Sequence, residues 1–169
     1  PSSAASDVYK RQMTMARTPD GRLVVRARAK VHILDRSMRV LQTVAGEYGG
    51  LIAASDDSIF SCPRASPLRR STYRGTTVAE YRLEGYKFHC PVLAPGGLLF
   101  CVSYKEEGDD SDEIIIGLDA QTLQLRHRFG LGLLNDAGQL AVVGDELYAC
   151  DAGNHRLQVF SLTGEHRRS

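Results

Sequence analysis

Apolar residues in this chain gather in short runs of about three to five, several of them bounded by turn chemistry. Leu23-Val24-Val25-Arg26, Ile59-Phe60-Ser61-Cys62, Leu98-Leu99-Phe100-Cys101 and Leu147-Tyr148-Ala149-Cys150 are short stretches rich in β-branched, aromatic and other apolar residues. Each follows a reversal: Pro19-Asp20-Gly21, Asp56-Asp57-Ser58, Pro95-Gly96-Gly97 and Gly144-Asp145-Glu146. Such runs between Gly, Pro and Asp predict strands. Apolar residues at 51–54, 92–94 and 140–143 predict an inner strand before three of them, and residues 31–34, 78–81, 114–118 and 157–160 a third strand after each. Outer strands fall at 40–44, 86–89 and 123–129, where Arg, Lys and Gln suit an edge exposed to water.

The second strands begin at Leu23, Ile59, Leu98 and Leu147, so the unit recurs at steps of 36, 39 and 49 residues. Four-stranded units of this period describe an all-β fold, the β-propeller. The expected blades span 13–46, 47–89, 90–130 and 131–169, the last stopping after its third strand.

The last unit adds a specific motif. Asp151-Ala152-Gly153-Asn154 is a tight turn, and Asn154, His155 and Leu157 with Arg156 between them open the next strand. This segment resembles the NHL repeat. The resemblance implies a ring of six blades, of which this chain holds about four. Ser2 to Gln12 resemble a translated sequencing-adapter artefact, so residues 1–12 are set apart as an adapter-like tail. The chain has no Trp, which argues against propeller repeats built on a Trp-Asp pair and against kelch repeats.

Composition narrows the class. Hydrophobic residues make up 43% of the chain, and no run of 18 apolar residues occurs, so no membrane span is expected. The net charge of +1 hides an imbalance: residues 13–90 hold 13 Lys and Arg against 7 Asp and Glu, whereas residues 91–169 hold 6 against 12. Cys62, Cys90, Cys101 and Cys150 form no closely spaced zinc motif, and three of them end equivalent strands. They are expected as reduced thiols packed between sheets, in a cytoplasmic protein.

Function is sought in the loops. The turns between second and third strands share one rim, and their lengths vary most: short at 27–29, long and basic at 63–76, acidic at 105–112 and tight at 151–154. Arg28, Arg64, Arg69, Arg70, Tyr73 and Arg74, with Asn154, His155 and Arg156, are the candidate ligand-binding residues. The expected function is a non-enzymatic scaffold that binds a protein through this rim. The first alternative is single-stranded RNA binding, because guanidiniums beside an aromatic ring suit phosphates and stacked bases, and some NHL propellers bind RNA. The second, drawn from propeller enzymes similar to this family, is a metal-dependent lyase or lactonase-like hydrolase. No catalytic set, metal site or cofactor motif is assigned: His32, His89, His127, His155 and His166 form no ligand pair, and the acidic stretch lacks the calcium-loop spacing.

Overall fold

The chain is described from a computed structural model covering residues 14–27, 29–46, 48, 52–63, 67–105 and 113–169. Four antiparallel sheets of four strands follow one another, each ordered as its strands occur in sequence. Blade 1 holds β1 (Thr14–Arg17), β2 (Leu23–Ala27), β3 (Lys30–Leu34) and β4 (Val40–Ala45). Blade 2 holds β5 (Ile52–Ala54), β6 (Ser58–Ser61), β7 (Leu68–Thr72) and β8 (Thr77–Tyr81). Blade 3 holds β9 (Tyr86–Ala94), β10 (Leu98–Lys105), β11 (Ile114–Asp119) and β12 (Leu125–Phe129). Blade 4 holds β13 (Ala137–Val143), β14 (Glu146–Asp151), β15 (Arg156–Ser161) and β16 (His166–Arg168).

Strand composition follows position within a blade. Ile114, Ile115, Ile116 and Leu118 of β11 are all buried, because alternate residues face opposite neighbours and both faces are covered. The outermost β4 and β12 expose most of their residues. Three apolar cores join the blades. Val24, Val31 and Ile33 meet Ile52, Ala54 and Ile59 between blades 1 and 2. Phe60 and Leu68 meet Leu99, Ile116 and Leu118 between blades 2 and 3. Phe100, Val102 and Ile115 meet Leu147, Ala149 and Phe160 between blades 3 and 4.

Three expectations need correction. The last blade is complete: β16 pairs with β15, and its His-Arg-Arg sequence is polar and exposed, so it carries no apolar signal. Segment 63–76 is not one long loop, since it contains β7; the strand expected third, at 78–81, belongs to the outermost β8. Arg69 and Arg70 gave that segment a loop-like composition, but Leu68 and Ser71 are buried beneath them. Residues 86–89 open the inner β9 of blade 3 instead of ending blade 2. Cys90 takes a positive φ of 53° there, and the β9–β10 register shifts between Phe100 and Val102. That bulge breaks the apolar alternation and hides one strand as two.

The same offset separates the cysteines. Register places Ile59, Leu99 and Leu147 at equivalent positions, each one residue in from Ser58–Thr72, Leu98–Asp119 and Glu146–Ser161 pairs. Cys150 is then equivalent to Cys62, while Cys101 falls one residue earlier. A shift of one residue turns a side chain to the opposite face. Cys62 and Cys101 accordingly look at each other in the core between blades 2 and 3, and Cys150 is exposed on the far side of blade 4.

Candidate functional site

Antiparallel order divides the connections between two rims. Turns joining the first two and the last two strands of each blade lie on one rim; the turns between second and third strands, and the links between blades, lie on the other.

The first rim is a chain of staples. The Asp20 amide donates to Asp56 Oδ1 at 3.0 Å, the Arg22 guanidinium donates to the Asp56 carbonyl at 2.6 Å, and that guanidinium lies 5.2 Å from the Tyr73 ring centroid. Tyr73 donates its hydroxyl to the Ser55 carbonyl at 2.5 Å, and burial pushes its pKa to about 12. Arg70 donates to Ser58 Oγ at 2.9 Å, to Asp57 at 3.2 Å and, across to blade 3, to the Gln121 carbonyl at 2.7 Å. Arg69 pairs with Glu80 on the neighbouring strand at 2.9 Å.

The second rim is organised around one buried carboxylate in blade 4. Asp151, fully buried, accepts from the Asn135 amide at 2.7 Å, Asn154 Nδ2 at 3.0 Å, Arg156 Nε at 2.8 Å and Gln158 Nε2 at 3.1 Å. Burial would raise its pKa, but the donors led by Arg156 outweigh it and hold the carboxyl below its ordinary value. Arg156 and Gln158 also donate to the Leu133 carbonyl at 3.1 and 3.0 Å. Gly153 approaches so closely that a Cβ there would lie 2.6 Å from Asn135 Cγ. The buried Glu113 accepts from the Ala137 amide at 2.7 Å. Together these bonds fix the connection at 130–136 against the 151–156 turn. What that connection displays is apolar: Leu131 is 61% and Leu133 36% exposed, with His155 exposed beside them in the left-handed conformation.

The expected residues therefore do not form one surface. Tyr73 and Arg74 sit on the first rim, Asn154, His155 and Arg156 on the second, and Arg69 and Arg70 within β7. Arg28, Arg64 and the acidic stretch at 106–112 lie outside the described residues. Asn154 and Arg156 serve the Asp151 hub, leaving His155 exposed. Sequence reasoning passed over Leu131 and Leu133, although Gly130-Leu131-Gly132-Leu133 sets large apolar residues in a turn, where polar ones are usual.

The inner strands β1, β5, β9 and β13 border a cavity of about 290 Å³, lined by Ala16, Arg17, Ala53, Val92, Gln139 and Cys90 among others. Cys90 contacts the Gly138 carbonyl, and its Sγ lies 3.0 Å from His89 Nδ1. Burial pushes the Cys90 thiol to about 12 and the His89 imidazole down. The pair is neutral at pH 7 and lacks the thiolate of an activated cysteine. Among the described residues no cluster of three or more His, Cys, Asp or Glu side chains is placed to hold a metal ion.

No protein-family model and no curated protein matches the chain. Solved structures do match. One is a protein of unknown function from Bacteroides caccae, with a TM-score of 0.70 and 16% identity over 92% of this chain and 65% of that one. The fold is a β-propeller. BamB from Moraxella catarrhalis, itself propeller-like, superposes with a TM-score of 0.57 and 17% identity over 90% of this chain and 59% of its own. The computationally designed Ika4 protein gives 0.63 and 11% over 88% of this chain and 89% of its own. The propeller thus spans less than two thirds of the two natural proteins. At such identities the likeness carries the fold and nothing finer.

Proposed function

We propose that this chain is a non-enzymatic propeller scaffold of the NHL type that binds a protein partner through the second rim of blade 4. The observation that carries the reading is the exposed Leu131–Leu133 turn held rigid by the Asp151 hub. Apolar side chains displayed on a fixed loop gain contact area in a complex without the entropy cost of ordering that loop. The first rim supports binding less, because Tyr73 stacks with Arg22 of blade 1 and Arg70 reaches Gln121 of blade 3, so both are spent on joining blades. The same pairing weakens the RNA reading, which needs unpaired guanidiniums. Free thiols throughout the described residues suit a reducing, cytoplasmic setting.

Proximity labelling or crosslinking with mass spectrometry tests the proposal by comparing three proteins. Replacing Leu131 and Leu133 together by Asp is expected to remove the partners crosslinked to blade 4, while Arg74→Glu on the other rim keeps them. Retention of every partner by the double variant, or salt-steep binding of single-stranded RNA lost on Arg74→Glu, would overturn it.

A further inference from the structure

The inner strands of blades 3 and 4 leave the regular ladder where they meet. In β9 the register against β10 shifts between Phe100 and Val102, and Cys90 takes a positive φ of 53°. In β13 the register against β14 shifts between Ala137 and Leu140, so Gly138 and Gln139 stand off the ladder. The inner strands of blades 1 and 2 keep an unbroken register. The Cys90 thiol contacts the Gly138 carbonyl, so the two bulges touch. Bulges re-aim side chains and recur beside binding sites, and left-handed backbone at a non-glycine residue is a strain that the surrounding structure must hold.

Both bulges border the cavity of about 290 Å³ at the inner strands. Its wall carries one charged side chain, Arg17 of β1, and one side-chain amide, Gln139. Both are exposed, and neither has a hydrogen-bond or ion-pair partner among the described residues. Val92, Leu93 and Leu140, half-buried, supply aliphatic surface, and no aromatic side chain is among the described residues that line the cavity. Each feature selects a part of a ligand. A single guanidinium with no carboxylate against it suits one negative charge, and its fork matches a carboxylate; a phosphate dianion would keep half its charge uncompensated. The aliphatic wall suits an apolar chain, whereas a base or other ring would have nothing to stack on. The volume stands at the small end of ligand pockets, which begin near 300 Å³. We propose that this cavity binds a small aliphatic monocarboxylate, its carboxylate on Arg17, its chain along Val92, Leu93 and Leu140, and Gln139 supplying a further hydrogen bond. The site is separate from the second-rim turn of blade 4, so the failure of either reading leaves the other standing.

Saturation-transfer NMR on the full chain, with hexanoate, hexanamide and inorganic phosphate as separate probes, tests this. Hexanoate is expected to receive saturation and to bind about tenfold more tightly than hexanamide, which has the same chain without the charge. Inorganic phosphate does not displace it. Arg17→Ala, at an exposed position and checked for folding by circular dichroism, lowers hexanoate affinity by about tenfold to a hundredfold and leaves hexanamide unchanged. Gln139→Glu keeps the shape of the wall and sets a like charge in it, so hexanoate alone is weakened again. No saturation of hexanoate at millimolar concentration, equal binding of hexanoate and hexanamide, displacement by phosphate, or unchanged hexanoate affinity in the Arg17 variant would each overturn the proposal.

Discussion

Asp151 illustrates how much one side chain governs. Its carboxylate gathers donors from two segments that sequence alone gives no reason to connect, the 130–136 link and the 151–156 turn. Asp151→Ala takes the acceptor from the Asn135 amide, Asn154 and Arg156 Nε, leaving Arg156 and Gln158 their bonds to the Leu133 carbonyl, and is expected to cost about 2–4 kcal/mol, measured by urea unfolding. Proteolytic cutting should rise first at 130–136; an unchanged urea midpoint would show that the hub is dispensable. The pH dependence follows from the direction of its shift. The folded carboxyl titrates below its ordinary 3.8, as do Asp20, Asp57 and Asp119, so between the two values the unfolded chain binds more protons. Their contribution is complete above the ordinary carboxylate range and is lost as pH falls through the folded values. Asp151 was legible as architecture from sequence, because its type suits a chain reversal, whereas Asn154, expected to bind a ligand, donates to Asp151 instead. Leu131 and Leu133 were not, because apolar residues are read as core until a structure displays them.

At the scale of the strand, legibility tracked burial. β11 is apolar where it is covered, and a pleated strand buried on both faces announces itself. β7 and β16 carry arginines whose partners lie on other strands, Glu80 for Arg69 and Glu146 for Arg168, so their polarity resembled that of a loop. Long stems let Arg cover a sheet while its head finds a carboxylate. A glycine gives the sharpest element-level test. In β11 a Cβ on Gly117 would lie 2.7 Å from Phe100 Cε1 and 3.1 Å from His127 Cβ, so the face of blade 3 that packs on blade 4 needs its absence there. Gly117→Val is expected to destabilise by about 1–3 kcal/mol, seen as a lower thermal midpoint. A midpoint at or above that of the wild type would mean that Phe100 repacks freely.

Across the whole molecule, cores of similar build link successive blades, so stability is shared between neighbours as in other repeat folds. Phe160, fully buried, stacks 5.2 Å from Phe129, which stands 6.2 Å from Phe100, so a ladder of rings ties blade 4 to blade 3. Phe160→Ala is expected to cost about 3–5 kcal/mol. Hydrogen exchange should rise mainly in blades 3 and 4; equal loss of protection in blade 1 would show a single cooperative unit instead. What the sequence determined was the all-β architecture, the repeat and most strand positions, because turn residues and alternating apolar runs act locally and need no partner to be read. What only the tertiary structure decided was which residues share a rim and which way each one faces. A bulge at Cys90 or a one-residue offset at Cys101 reverses a side chain without altering the local pattern, and the pairing of β16 or the Asp151 hub depends on segments that meet only when the blades are assembled.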